Sequence, residues 1–262
     1  MFATHHYESM LLNTFRGVAA VGVNNLFVGL YLTSPTNSGK GGIEINYTGY
    51  VRQPIQFIAP YAEGERVGVR NADSLLWNVS QTDVGEAKYI GISDSPIPGS
   101  GNMLLYGELT IPLEIRANQQ PSVSQGSIRY FMLGDHTREY KTRALNVLRG
   151  QTFSGFQSHM ALFNGDPQDG GVELSGEAYA RVTVSFSPPS VQIGDHSQIF
   201  STETVEFPEP LAEWGSWVYS GIMESATGGL PMVALARPEG PDFLHRGYQP
   251  VFNAGSVSVA LD

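Results

Sequence analysis

Two carboxylates, Asp94 and Glu224, follow the same Gly-Ile dipeptide, in Gly91-Ile92-Ser93-Asp94 and Gly221-Ile222-Met223-Glu224, and are the first candidates for acid or base chemistry. Such catalysis needs a second positioned acid, base or nucleophile, and none accompanies both carboxylates. A carboxylate capping the turn of a β-hairpin accounts for both. Arg52 and Arg181 each stand two residues after a tyrosine, Tyr50 or Tyr179. Such an arginine can hold a sugar or a phosphate, but on an alternating strand it more often pairs with a carboxylate. The histidines are His5, His6, His136, His159, His196 and His245; adjacent His5 and His6 point apart, and no partner follows at metal-ligand spacing. Gly99-Ser100-Gly101 lacks the Lys-Ser/Thr of a phosphate loop, and no Gly-x-Ser-x-Gly elbow occurs. The pattern therefore predicts no enzyme, no metal and no cofactor. Trp77, Trp214, Trp217, Tyr219 and Tyr248 could stack on sugar rings.

The elements that would position these residues come in duplicate. Tyr7-Glu8-Ser9-Met10-Leu11-Leu12-Asn13-Thr14-Phe15-Arg16-Gly17 returns as Tyr140-Lys141-Thr142-Arg143-Ala144-Leu145-Asn146-Val147-Leu148-Arg149-Gly150, both ending Leu-Asn-x-x-Arg-Gly. Each copy continues with an apolar run (Gly29-Leu30-Tyr31, Ala161-Leu162-Phe163) and a Pro/Gly-rich loop closing on Glu44, Tyr50 and Arg52 or Glu173, Tyr179 and Arg181. Gly126-Ser127-Ile128 matches Gly255-Ser256-Val257 near the ends. This is duplication of a whole domain, too long in period for a solenoid, and it divides the chain into 1–135 and 136–262.

Each copy reads as one amphipathic helix followed by an antiparallel β-sandwich. Tyr7, Leu11 and Phe15, with Leu12, make a stripe that Tyr140, Ala144 and Leu148, with Val147, repeat. Gly17 and Gly150 stand where a left-handed residue ends a helix. Val182, Val184 and Phe186 alternate on one strand face, as do Val51, Gln53, Ile55 and Phe57, and Pro54 marks that strand as an edge. Trp77 and Phe207 occupy equivalent positions, as do Val84 and Trp214, which predicts core roles. Trp217 and Tyr248 have no aromatic counterpart, so they are the surface candidates, with Tyr106 a further contact candidate.

Composition bounds the partners. The 262 residues carry no cysteine and a net charge of −10, without Lys/Arg patches, which argues against nucleic acid. Charged residues are 15% of the chain, low for a soluble domain, and there is no apolar run of membrane-spanning length.

The order and spacing of these motifs resemble the small tailed-bacteriophage virion proteins described as tail-fibre or minor structural proteins. There the Gly-Ile-x-Asp stretch typically leads into Gly-Gly-Asn-Leu-Leu-Tyr-Gly-x-Leu. The first copy keeps Gly101-Asn102-Met103-Leu104-Leu105-Tyr106-Gly107-Glu108-Leu109, whereas the second reads Gly228-Gly229-Leu230-Pro231-Met232-Val233-Ala234-Leu235. The resemblance implies a non-enzymatic virion component, assembled in the host cytoplasm. It would act by contact with other virion proteins at a tail tip, baseplate or fibre attachment. A host-glycan or receptor-binding module, a capsid decoration protein and a cell-wall hydrolase are the other expectations. The opening helices differ in charge, Glu8 in one against Arg138, Lys141 and Arg143 in the other. That difference predicts heterologous contact between chains, closing a homotrimer or larger ring with pseudo-sixfold character.

Overall fold

The computed structural model describes residues 1–191, 196–237, 239 and 242–261. Both opening helices form where the apolar stripes place them. Helix α1 spans His5–Leu12 and runs into a 3₁₀ turn at Asn13–Phe15, while α2 spans Arg138–Val147. Thr4 and Thr137 cap them, each Oγ1 accepting the third amide of its helix, from Tyr7 at 3.5 Å and Tyr140 at 3.3 Å. The same hydroxyls donate to Met103 O (2.5 Å) and Pro231 O (2.7 Å), which ties each helix start to a strand of its own half. Gly17 and Gly150 both take φ of 80° and terminate the helical stretch as expected.

The first half contains β1 (Phe2–Ala3), β2 (Leu26–Tyr31), β3 (Gln53–Ile55), β4 (Tyr61–Glu63), β5 (Arg66–Arg70), β6 (Leu75–Leu76), β7 (Gly85–Ser93), β8 (Met103–Ile115), β9 (Ser122–Val123) and β10 (Arg129–Met132). The second contains β11 (His159–Phe163), β12 (Val182–Thr183), β13 (Ser190–Val191), β14 (Ser197–Phe200), β15 (Val205–Glu206), β16 (Gly215–Trp217), β17 (Tyr219–Met223), β18 (Pro231–Ala236), β19 (Asp242–Leu244), β20 (Val251–Phe252) and β21 (Ser258–Ala260). The larger sheets run β1-β8-β7-β2-β3 and β10-β5-β4 in the first half, and β12-β11-β17-β18 and β13-β14-β21 in the second. Every ladder between these strands is antiparallel. The protein is mainly β with two short helices, and strand orders correspond between halves, with Gly91 facing Gly29 and Gly221 facing Ala161.

Pro54 does lie on an edge strand, β3. Val51 departs from the expected alternation. It is 50% exposed because the strand begins only at Gln53, whereas Ile55 and Phe57 are buried as expected. In the first half β7 and β8 form one long hairpin, but Ala87 pairs with Leu113 and Tyr89 with Glu108, so residues 109–112 are extruded as a bulge. The second half interrupts the same hairpin into the β16–β19 and β17–β18 pairs. One apolar core runs through both halves and includes Tyr7, Leu11, Trp77, Tyr130, Tyr140, Val184, Phe207 and Trp214.

Candidate functional site

The helices do not stay with their own halves. Helix α1 packs against β8 of its own half and β14 of the other, and α2 against β18 and β5, so each helix is wedged between the two sets of sheets. The contacts are reciprocal. Tyr7 Oη donates to Ala144 O at 2.8 Å, and Tyr140 Oη donates to Leu11 O at 3.1 Å. Arg16 Nε donates to Phe186 O (3.2 Å) and Arg149 Nε to Phe57 O (3.3 Å), while Nη1 of each is held by its own Asn13 or Asn146 at 2.5 and 2.6 Å. The Leu-Asn-x-x-Arg-Gly motif is thereby explained: asparagine orients arginine, arginine fastens the segment just after β12 or β3 of the other half, and glycine ends the helix.

The segments after the helices then cross. Ala20 and Phe153 exchange both backbone bonds at 2.9 Å. A Cβ on Gly22 would lie 2.2 Å from the carbonyl carbon of Gly150, and one on Gly155 would lie 2.2 Å from that of Gly17, so both sites require glycine for backbone-to-backbone approach. Contacts in which i meets j and j meets i define a local twofold, the hallmark of an isologous dimer interface, here within one chain.

Arg52 and Arg181 sit at the centre of two equivalent buried clusters. Arg52 makes a fork on Glu44, Nε to Oε1 and Nη2 to Oε2, both 2.8 Å; Arg181 does the same with Glu173 at 2.8 and 2.6 Å. Tyr50 Oη accepts from Leu30 N (2.8 Å) and donates to Glu44 (3.2 Å); Tyr179 Oη accepts from Leu162 N (3.1 Å) and donates to Glu173 (3.1 Å). Arg52 Nη1 also reaches the Ser95 and Ser100 carbonyls, and Arg181 Nη1 those of Ser225 and Gly228. The arginine thus ties the loop before it to the hairpin loop after the Gly-Ile strand. Burial works against the Arg52 charge, but its hydrogen bonds to Glu44 outweigh it and hold its pKa above the ordinary value; for Arg181 the hydrogen bond to Glu173 leads. Burial raises both tyrosines, so neither is poised as an acid or base near neutrality.

Asp94 and Glu224 act as turn caps. Asp94 accepts from Asn102 N at 2.7 Å, and Glu224 accepts from Leu230 N at 3.2 Å while also pairing with Arg143 at 2.6 Å. Among the described residues no group of three or more His, Asp or Glu is placed to hold a metal. The organising chemistry is clamping, in duplicate, and not proton transfer.

A family model described as podophage GP4 fiber I protein gp80 matches residues 2–130 and, a second time, residues 138–260. The chain belongs to this phage fibre family. It does so as a tandem duplication, and the family is one of structural proteins, not an enzyme class. No curated protein matches the sequence.

In this fibre protein the aromatic candidates do not converge. Trp217, expected at the surface, is buried at 8% exposure because Phe252 packs on it and the Arg237 guanidinium covers its ring at 4.5 Å. Tyr248 is 48% exposed, its hydroxyl on Asp242 at 3.2 Å. Tyr106 is half-buried in the other half, beside Phe2 at 5.7 Å. Of the opposite charges on the helices, Glu8 and Lys141 are likewise turned inward. Glu8 is buried and accepts from Ser197 N of the other half at 3.0 Å, and Lys141 is buried with its ammonium on Gly134 O at 2.9 Å. Glu8 and Lys141 are thus engaged within one chain and unavailable to a contact between chains, whereas Arg138 is exposed and Arg143 pairs with Glu139 and Glu224.

Three buried titratable groups escaped the sequence reading. Burial raises the Glu8 pKa, against the opposing Ser197 hydrogen bonds, and lowers that of Lys141, against the charges of Asp135 and Glu65. His136 is held at about 3, by burial first and Lys141 second, and stacks on Tyr140 at 4.6 Å. The signal available was position. Glu8 and Lys141 each sit between two residues of the apolar stripe or beside its first member, and His136 immediately precedes a capping threonine.

Proposed function

We propose that this chain is a rigid, non-enzymatic connector in the tail tip, baseplate or fibre attachment of the particle, acting by protein–protein contact. The observation that carries the reading is the coincidence of two fibre-family matches with an intramolecular isologous interface. Such an interface fixes the relation of residues 1–135 to 136–262, which we take as the two structural repeats, and leaves their outer faces for other virion proteins. The homo-oligomer we expect is a trimer. Three chains, or a larger ring, would bring the repeats together with pseudo-sixfold character, and a local twofold set perpendicular to a trimer axis would make that arrangement pseudo-32. Assembly would take place in the host cytoplasm before incorporation.

Electron microscopy of particles carrying a tagged copy of the chain tests the location, and quantitative mass spectrometry of purified particles gives its stoichiometry. Density at the tail with a copy number divisible by three is expected. Density spread over the capsid lattice would replace this reading with a decoration role.

A further inference from the structure

The two Glu–Arg–Tyr clusters share a scaffold but differ in the side chains packed beside it. In the first half, Tyr31 and Ser93 add hydroxyls to the cluster: Arg52 Nη1 reaches Ser93 Oγ at 2.6 Å, Nη2 reaches Tyr31 Oη at 3.4 Å, and Tyr31 Oη meets Glu44 Oε2 at 3.3 Å. The equivalents in the second half are Phe163 and Met223, which with Ala161 form a small apolar cluster flanked by Tyr219. Since the scaffold holds with and without them, the hydroxyls are not needed to build it. They border a cavity of about 430 Å³ whose rim is two glycine-rich turns, residues 39–42 and 98–101. That volume falls within the range of small-ligand pockets. Lys40 is exposed on this rim, where the second half has Asp169.

The chemistry of the walls narrows the ligand. Arg52 and Glu44 neutralise each other, so the floor presents no net charge. Tyr31 makes two long hydrogen bonds, for which a ligand hydroxyl can compete, and Ser93 Oγ, which accepts from Arg52 and donates to the Ser95 carbonyl at 3.3 Å, retains a lone pair. Pro98 and Met103 supply apolar surface beside these hydroxyls. Burial, with Glu44 second, pushes the Tyr31 pKa up to about 12, so its hydroxyl stays protonated and can donate at any physiological pH.

We propose that this cavity in the first half binds one neutral sugar ring through the Tyr31 and Ser93 hydroxyls, with Pro98 and Met103 against its apolar edge. The inference rests on the fibre reading only in taking the sugar from a bacterial surface glycan. The test uses the full chain, titrated with free neutral hexoses and N-acetylhexosamines by saturation-transfer NMR, and probed on an array of bacterial surface polysaccharides. Tyr31→Phe and Ser93→Met, the residues of the second half, are each expected to weaken binding roughly five- to tenfold, the worth of one neutral hydrogen bond. Because both hydroxyls also bond Arg52, each variant should melt somewhat lower yet remain folded at the assay temperature, and Lys40→Ala, on the exposed rim, should perturb chemical shifts in residues 39–42 and 98–101 without loss of fold. Binding of sugars by the parent that survives both substitutions would overturn the site, as would absence of binding at tens of millimolar sugar. Absence of sugar binding in a protein still found at the tail would sink this inference alone and leave the fibre reading standing.

Discussion

Substituting alanine at Gly22 or Gly155 tests whether the crossing of the two halves is the joint that holds the molecule together. Each new Cβ would lie 2.2 Å from a backbone carbon of the other half. Neither glycine has positive φ, so the effect is steric and not conformational. No side-chain rotation relieves such a contact, and the strands must separate by more than an ångström. Separation threatens the paired 2.9 Å bonds of Ala20 and Phe153, worth about 0.5–1.5 kcal/mol each, and begins to expose Phe153, which is only 4% accessible. Together these cost about 2–4 kcal/mol, against which the stiffer unfolded chain returns about 0.4–1 kcal/mol. The expected net loss is therefore about 1–3 kcal/mol for either variant, a fall of a few degrees in melting temperature for a protein of this size. Both residues act on one crossing, so the double variant should lose less than the sum. Denaturant titration followed by tryptophan fluorescence measures this, since Trp77 reports the first half and Trp214 and Trp217 the second. If both single variants unfold within about 0.5 kcal/mol of the parent, the range of surface-like substitutions, the crossing is not a structural joint.

Phe57→Ala and Phe186→Ala should each cost about 3–5 kcal/mol by thermal or urea unfolding, since both side chains are buried at matching positions just after β3 and β12; near-parental melting would mean that neither fills the core. Arg52→Met leaves the Glu44 carboxylate buried without its fork and should cost about 3–5 kcal/mol, much of it recovered when Glu44→Gln is added; equal unfolding of single and double variants would refute the clamp. His136 is neutral when folded, with a pKa near 3, and titrates near 6.5 when unfolded, so the unfolded chain takes up the extra proton and stability falls as pH drops below about 6.5. Between pH 7 and pH 5 this term is about 2 kcal/mol, and His136→Phe should flatten that slope in urea titrations at the two pH values. Glu8 has a raised pKa, so its charge opposes folding above the unfolded value; Glu8→Gln should be neutral or stabilising at pH 7, and a loss above about 1 kcal/mol would show that the carboxylate charge is required.

The helix stripes, their glycine ends, the buried Trp77–Phe207 pair, the edge proline and the turn-capping carboxylates were legible in the sequence because each is a local rule or a self-comparison within one chain. The Arg52 and Arg181 pairs were legible in kind, and the glutamates were already in the repeated motif. What escaped was everything that depends on which half a residue touches. Period and alternation report that Tyr7 faces a core, but they are identical whether that core belongs to its own repeat or to the other. Trp217 failed for a related reason. A residue without an aromatic counterpart looks free to serve a ligand, yet the second half had replaced a continuous hairpin by two short pairs, and the tryptophan with Phe252 and Arg237 fills the altered corner.

The exchange of helices also explains why the repeats could diverge where they did. In an interface made of two identical chains, every substitution appears twice, so Glu8 could not become lysine on one side alone. Fusing the repeats removes that constraint, and the two sides of the twofold now differ. Glu8 meets the Ser197 amide across the interface, while Lys141 turns to Gly134 O in the segment that joins the halves. The clamp residues did not diverge, because Glu44–Arg52 and Glu173–Arg181 fasten loops within each half and are blind to the fusion. Divergence falls instead on the side chains bordering the clamps, where Tyr31, Ser93 and Lys40 have Phe163, Met223 and Asp169 as their equivalents. A duplicated fibre protein can thus keep one rigid twofold frame while the surroundings of its two clamps differ in polarity, a division of labour unavailable to a symmetric homodimer.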